Sequence, residues 1–66
     1  HQLRNALAEA LEELAENERK IIVWHYFAYM KFDDIARRMS ISPANARKIS
    51  SRALKSLKRK LKEYVI

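Results

Sequence analysis

What most limits how this chain can fold is an absence. Its 66 residues contain no glycine and a single proline, Pro43. Only one position therefore carries an obligate helix breaker, and no residue enters a left-handed turn free of steric cost. The proline follows Ser42, and a Ser-Pro pair is a helix start: the Ser42 hydroxyl can cap free N–H groups, while Pro43 suits the first helical position. Beyond it, Ala46, Ile49, Ala53, Leu54, Leu57, Leu61 and Tyr64 form an apolar stripe. That stripe predicts an unbroken helix from Pro43 to about Tyr64, roughly 33 Å long.

Upstream the periodicity is also helical. Leu3, Leu7, Ala10, Leu11 and Leu14 recur at spacings of three and four, predicting a helix over residues 3–14 with Glu9, Glu12 and Glu13 on its other side. A second helix is expected from Glu16 to Tyr29, with Glu16 and Glu18 at the positive end of its dipole. Its stretch Ile21 to Phe27 is apolar nearly all round, so it should be covered on more than one side. A third, short helix is expected from Phe32 to Met39, opening on Asp33 and Asp34 and closing on Arg37 and Arg38. The fold class is all-α: one four-helix domain over residues 1–66, with a helix-turn-helix at its C-terminal end and a long last helix.

Composition excludes several functions. The chain has no Cys, hence no disulfide framework and no thiolate metal site. The near-apolar run Ile21 to Met30 is far shorter than the ~20 residues that span a bilayer. A cytoplasmic, nucleoid-associated protein is expected, with no membrane partner. His1 and His25 are the only histidines, without partners at metal-ligand spacing. His25 reads as a helix-surface or phosphate-facing residue. Asp33 and Asp34 would point about 100° apart on a helix, which does not make an acid–base pair. No catalytic residue, metal or cofactor is expected; the chain reads as a binding module.

Charge says what it binds. Residues 1–34 carry a net −3, whereas residues 35–66 set ten Lys and Arg against Glu63 alone, a net +9. The basic half points at a polyanion. Within it, a short helix joined by a brief turn to a basic one describes a helix-turn-helix, with Ile35, Met39, Ile41, Ala46 and Ile49 at the locking positions and Ala36 at the crossing. The second helix of such a unit enters the major groove with its N-terminal residues at base edges. Here these are Pro43, Ala44, Asn45, Arg47 and Lys48. Pro43 and Ala44 offer apolar contact, Asn45 suits adenine, and Arg47 or Lys48 suits guanine. Arg37, Arg38, Arg52 and Lys55 would serve phosphates, and Ser42 and Ser51 complete the DNA-facing set. Ser40 occupies the turn position that favours left-handed geometry, at a cost of about 1–2 kcal/mol.

From Leu11 to Leu61 the chain resembles region 4 of bacterial RNA polymerase sigma factors of the sigma-70 family. The resemblance is carried by Leu14, Glu18-Arg19, Ile21-Ile22, Tyr26-Phe27, Phe32-Asp33-Asp34-Ile35-Ala36, Met39-Ser40-Ile41-Ser42 and Arg52-Ala53-Leu54-Lys55-Ser56-Leu57. The Ile49 spacing and the Ser51-Arg52-Ala53-Leu54 run look more like the flagellar, sporulation and stress factors than the extracytoplasmic-function group. The chain departs from the family pattern at Ala15, where Pro is usual, and at Lys31, where Ser or Thr is usual. Tyr29 replaces a small residue or Gly, and Ser40 a frequent Gly. The resemblance implies recognition of the minus-35 element of double-stranded promoter DNA by the last helix, and docking on the β-flap of the RNA polymerase core. It implies Trp24, Phe27 and Tyr29 as candidate docking residues, Trp24 being the one that ordinary core packing would also explain. An anti-sigma factor is a second candidate partner. The resemblance also implies a fragment of a longer protein. Two other readings stay open: a response-regulator-type or other helix-turn-helix transcription-factor domain, and a domain used mainly to bind polymerase or an anti-sigma protein.

Overall fold

The computed structural model describes the backbone of residues 2–65 and the side chains of residues 6–63. His1 and the side chains of Leu3 and Tyr64 lie outside the described residues. Among those described, helices α1 (Gln2–Glu13), α2 (Glu16–Ile22), α3 (Phe32–Met39) and α4 (Pro43–Val65) account for the fold, with a π-helical turn over Val23–Phe27 and no strand. None of these helices is long and apolar enough to cross a membrane.

Helix α4 is the spine, and α1, α2 and α3 all pack on it. Its 23 residues are roughly 34 Å long at the helical rise, which accounts for the 37 Å long dimension of an 18 × 15 Å cross-section. Ala46, Ser50, Ala53 and Leu57 are buried along one side of α4. Their spacing of four, three and four makes a single stripe, and three of the four side chains are small enough for neighbouring helices to approach closely. Ala10 of α1 and Leu14 just beyond it join Ile22, Ala53 and Leu57 in the main core, with Leu7, Leu11, Leu54 and Leu61 packed around it. Ala6, which the leucine pattern of α1 does not reveal, is buried too.

The second expected helix is the part the structure redraws. Instead of running as α-helix to Tyr29, it stops being α-helical at Ile22 and widens: the Ala28 N–H donates to the Val23 carbonyl at 3.0 Å, and the Met30 N–H to that of Trp24 at 2.9 Å. A π-turn inserts one extra residue and so rotates the following side chains. Trp24 and His25 are half-buried, Trp24 lying under the Arg38 guanidinium and His25 against Phe32, whereas Val23, Tyr26 and Phe27 are left exposed. The expected all-round cover holds only for Ile21 and Ile22, which are buried. Tyr29 then turns the chain with φ 58°. His25, expected to face outward or toward phosphate, is instead a structural residue whose Nδ1–H donates to the Met30 carbonyl at 2.9 Å.

Candidate nucleic-acid interface

The unit formed by α3, the turn Ser40-Ile41-Ser42 and α4 is built from local signals. Lys31 precedes α3 with extended backbone and no side-chain cap, so the first turn relies on Asp33 and Asp34 against the dipole. At the other end Ser40 adopts φ 58° and ψ 43°, left-handed as the sequence predicts. The Ile41 N–H donates to the Ala36 carbonyl at 3.0 Å and the Ser40 N–H to that of Arg37 at 3.3 Å. This pair of bonds is the Schellman closure, and it offsets part of the cost of a left-handed serine. Two residues on, Ser42 Oγ accepts from the Asn45 N–H at 3.1 Å, capping α4 as expected.

Packing then sets the relative placement of the two helices. Ile35, Ala36 and Ala46 are buried, and Met39, Ile41 and Ile49 are half-buried. Ala36 is 2% exposed, so a larger side chain there would push α3 from α4. With the apolar residues inside, Arg37, Arg38, Ser42, Pro43, Ala44, Asn45, Arg47, Lys48, Ser51, Arg52 and Lys55 are all exposed. On α4, the series Ala44, Arg47, Lys48, Ser51, Arg52 and Lys55 has helical spacing and lies opposite the buried stripe. The sequence-predicted residues are thus exposed on α3, on the turn and on the face of α4 opposite its buried stripe. Cations outnumber acids there: Arg37 pairs with Asp34 at 3.7 Å, while among the described residues no ion pair involves Arg38, Arg47, Lys48, Arg52 or Lys55.

Two of these arginines rest on aromatic rings. The Arg38 guanidinium lies over Trp24 at 5.7 Å, beside an open cleft lined by Glu16, Lys20 and Met39. Arg47 lies over Phe32 at 5.8 Å. The role of Phe32 at this surface escapes sequence reading, because a lone aromatic at a helix start carries no periodic signal. Trp24, half-buried, is shared between core and surface; Phe27 and Tyr29 stand free at 52% and 86% exposure.

The far half of α4 has a different environment. There Glu13 of α1 comes alongside, and Lys60 Nζ donates to Glu13 Oε1 at 2.8 Å. Lys58, Arg59 and Lys62 of this half are exposed and, among the described residues, in no ion pair, so the positive surface runs from α3 and the turn along α4 and is interrupted at Lys60. A capped basic helix, a short preceding helix and an apolar lock define a helix-turn-helix DNA-binding domain. The sequence matches the family model for sigma-70, region 4, over residues 4–57, and the chain belongs to that family, whose part in transcription is promoter recognition within a sigma factor. Comparison with curated proteins and with solved structures gave no match.

Proposed function

We propose that residues 1–66 are a single region 4 domain, part of a longer sigma factor. In this reading α3–turn–α4 binds the minus-35 promoter element, and the exposed Phe27 and Tyr29, together with the half-buried Trp24, dock on the β-flap of RNA polymerase core. The observation that carries it is a pair of distinct surfaces: exposed cations without ion-pair partners among the described residues on the face of α4 opposite its buried stripe, and exposed Val23, Tyr26, Phe27 and Tyr29 around the π-turn. Large exposed apolar side chains gathered in one short segment suit a protein partner, and the basic face suits phosphates. Pro43 and Ala44 at the first reading positions favour a promoter element with apolar contacts, such as thymine methyls, there. The Ser51-Arg52-Ala53-Leu54 run favours the flagellar, sporulation and stress group. This assignment places the protein in the cytoplasm, on the nucleoid.

A reading in which the domain serves mainly to bind polymerase, or an anti-sigma protein competing for the same surface, is favoured by Tyr29. A tyrosine that is 86% exposed in a left-handed turn gains nothing from the fold. Two measurements, of polymerase binding and of DNA binding, test these readings. Tyr29→Ser in the full chain should weaken binding to core polymerase and leave duplex DNA affinity nearly unchanged. Polymerase binding equal to the parent's would remove Tyr29 from the docking surface. No DNA binding by the parent, even within a polymerase complex, would leave docking as the function.

A further inference from the structure

We propose that Phe32 is a positioning residue for DNA recognition, its ring being the platform that holds the Arg47 guanidinium in place before DNA arrives. The proposal rests on the reading of Arg47 given above and adds a residue that this reading does not assign.

The platform is built from three contacts. The His25 Nδ1–H bond to the Met30 carbonyl, 2.9 Å long, fixes the imidazole in one tautomer and one orientation. That ring stacks on Phe32 with centroids 4.0 Å apart and planes 21° from parallel. A phenyl ring has two faces, and the imidazole covers one, so the Arg47 guanidinium 5.8 Å from the centroid takes the other. Phe32 is half-buried at the start of α3 and held against His25 by the stack. Among the described residues no carboxylate pairs with Arg47, so no ion pair competes with the ring for it.

This arrangement suits base reading better than an ion pair would. A carboxylate would have to be displaced before Arg47 could bond a guanine edge. An aromatic face attracts the guanidinium through its π-cloud and leaves every N–H pointing outward from its rim. A side chain already restrained also loses less freedom on binding. Arg38 over Trp24 repeats the device on the neighbouring flank.

The test uses the full chain and a duplex DNA library randomised across one major-groove window. Phe32→Leu keeps apolar bulk and removes the ring; it should weaken selection at the same base position as Arg47→Ala does, by about two- to fivefold, the size of a partly exposed cation–π contact. Phe32→Tyr should behave as the parent. In an Arg47→Ala background, Phe32→Leu should change nothing further. Equal weakening on every sequence, or the same loss in the Arg47→Ala background, would show that Phe32 acts through the fold and overturn the proposal. If Arg47→Ala shifts base preference and Phe32→Leu does not, the platform fails while the reading position stands. If Arg47→Ala leaves preference unchanged, the reading position fails and the platform with it. The parent chain offers a check that needs no variant: the Arg47 side-chain protons should show an upfield ring-current shift by NMR without DNA. Resonances at ordinary positions would overturn the stack itself.

Discussion

Lys60 Nζ sits 2.8 Å from Glu13 Oε1, joining residues 47 positions apart and tying the acidic first helix to the basic last one. The pair is partly exposed, the Lys60 side chain at 28% and that of Glu13 at 50%. Pairs in such surroundings are worth about 0.2–1 kcal/mol and weaken with salt. A double-mutant cycle of Glu13→Ala and Lys60→Ala, followed by urea unfolding, should give a coupling within that range that shrinks in high salt. A coupling of zero at low salt would mean that α1 is held on α4 by its leucines and alanines alone.

Ser40 and Tyr29 both sit at φ 58°, where a Cβ costs about 1–2 kcal/mol. Ser40→Gly should therefore stabilise the domain by up to about 1 kcal/mol, raising the midpoint of thermal unfolding by several degrees. Tyr29→Gly should stabilise to a similar extent, since an exposed ring has little packing to lose. A fall in melting temperature for Ser40→Gly would contradict the left-handed geometry at the turn.

The Ser42 hydroxyl caps α4 through the Asn45 amide. Ser42→Ala should cost about 1 kcal/mol in urea unfolding, whereas Ser42→Asp should keep the cap. Hydrogen exchange at the Asn45 amide should speed up in the alanine variant and not in the aspartate one. Unchanged protection in Ser42→Ala would place the cap elsewhere.

Lys48 lies in the opening turns of α4, and Lys58 roughly 15 Å further along its axis. Lys48→Ala should change base preference, by about 1–3 kcal/mol at one position, in a competition of promoter sequences. Lys58→Ala should weaken every sequence alike and reduce the salt slope by about one. Identical losses on all sequences for both variants would rule out Lys48 as a reading residue.

Much of the helix-turn-helix could be read from residue spacing, because its lock is made of residues whose preferences are strong and local. Ser42-Pro43 marks a helix start by chemistry alone, and Ile35, Ala36 and Ala46 are apolar at positions that only a packed helix pair would bury. The exposed cations follow automatically from the other side of the same period. The π-turn could not be read in this way. Over the five residues Val23–Phe27, a change in helical period moves side chains by less than periodicity can resolve, and nearly all of them are apolar whichever way they face. The same ambiguity hid the division of labour in this segment, with Trp24 and His25 turned toward α3 and Phe27 turned away. Phe32 posed a different problem: its significance lies in contacts with His25 and Arg47, on two other elements, and no local pattern encodes those.

A single rod on which every other helix leans has a consequence for how this domain comes apart. Helices α1, α2 and α3 each pack on α4, so loosening of the rod would unseat all three together. A molecule gripping the first turns of the rod therefore adds its binding energy to the whole cooperative unit, and slows the escape of α1 at the opposite end as much as that of the helices it touches. Occupancy at one end should be legible as amide protection at the other, with no change of shape in between.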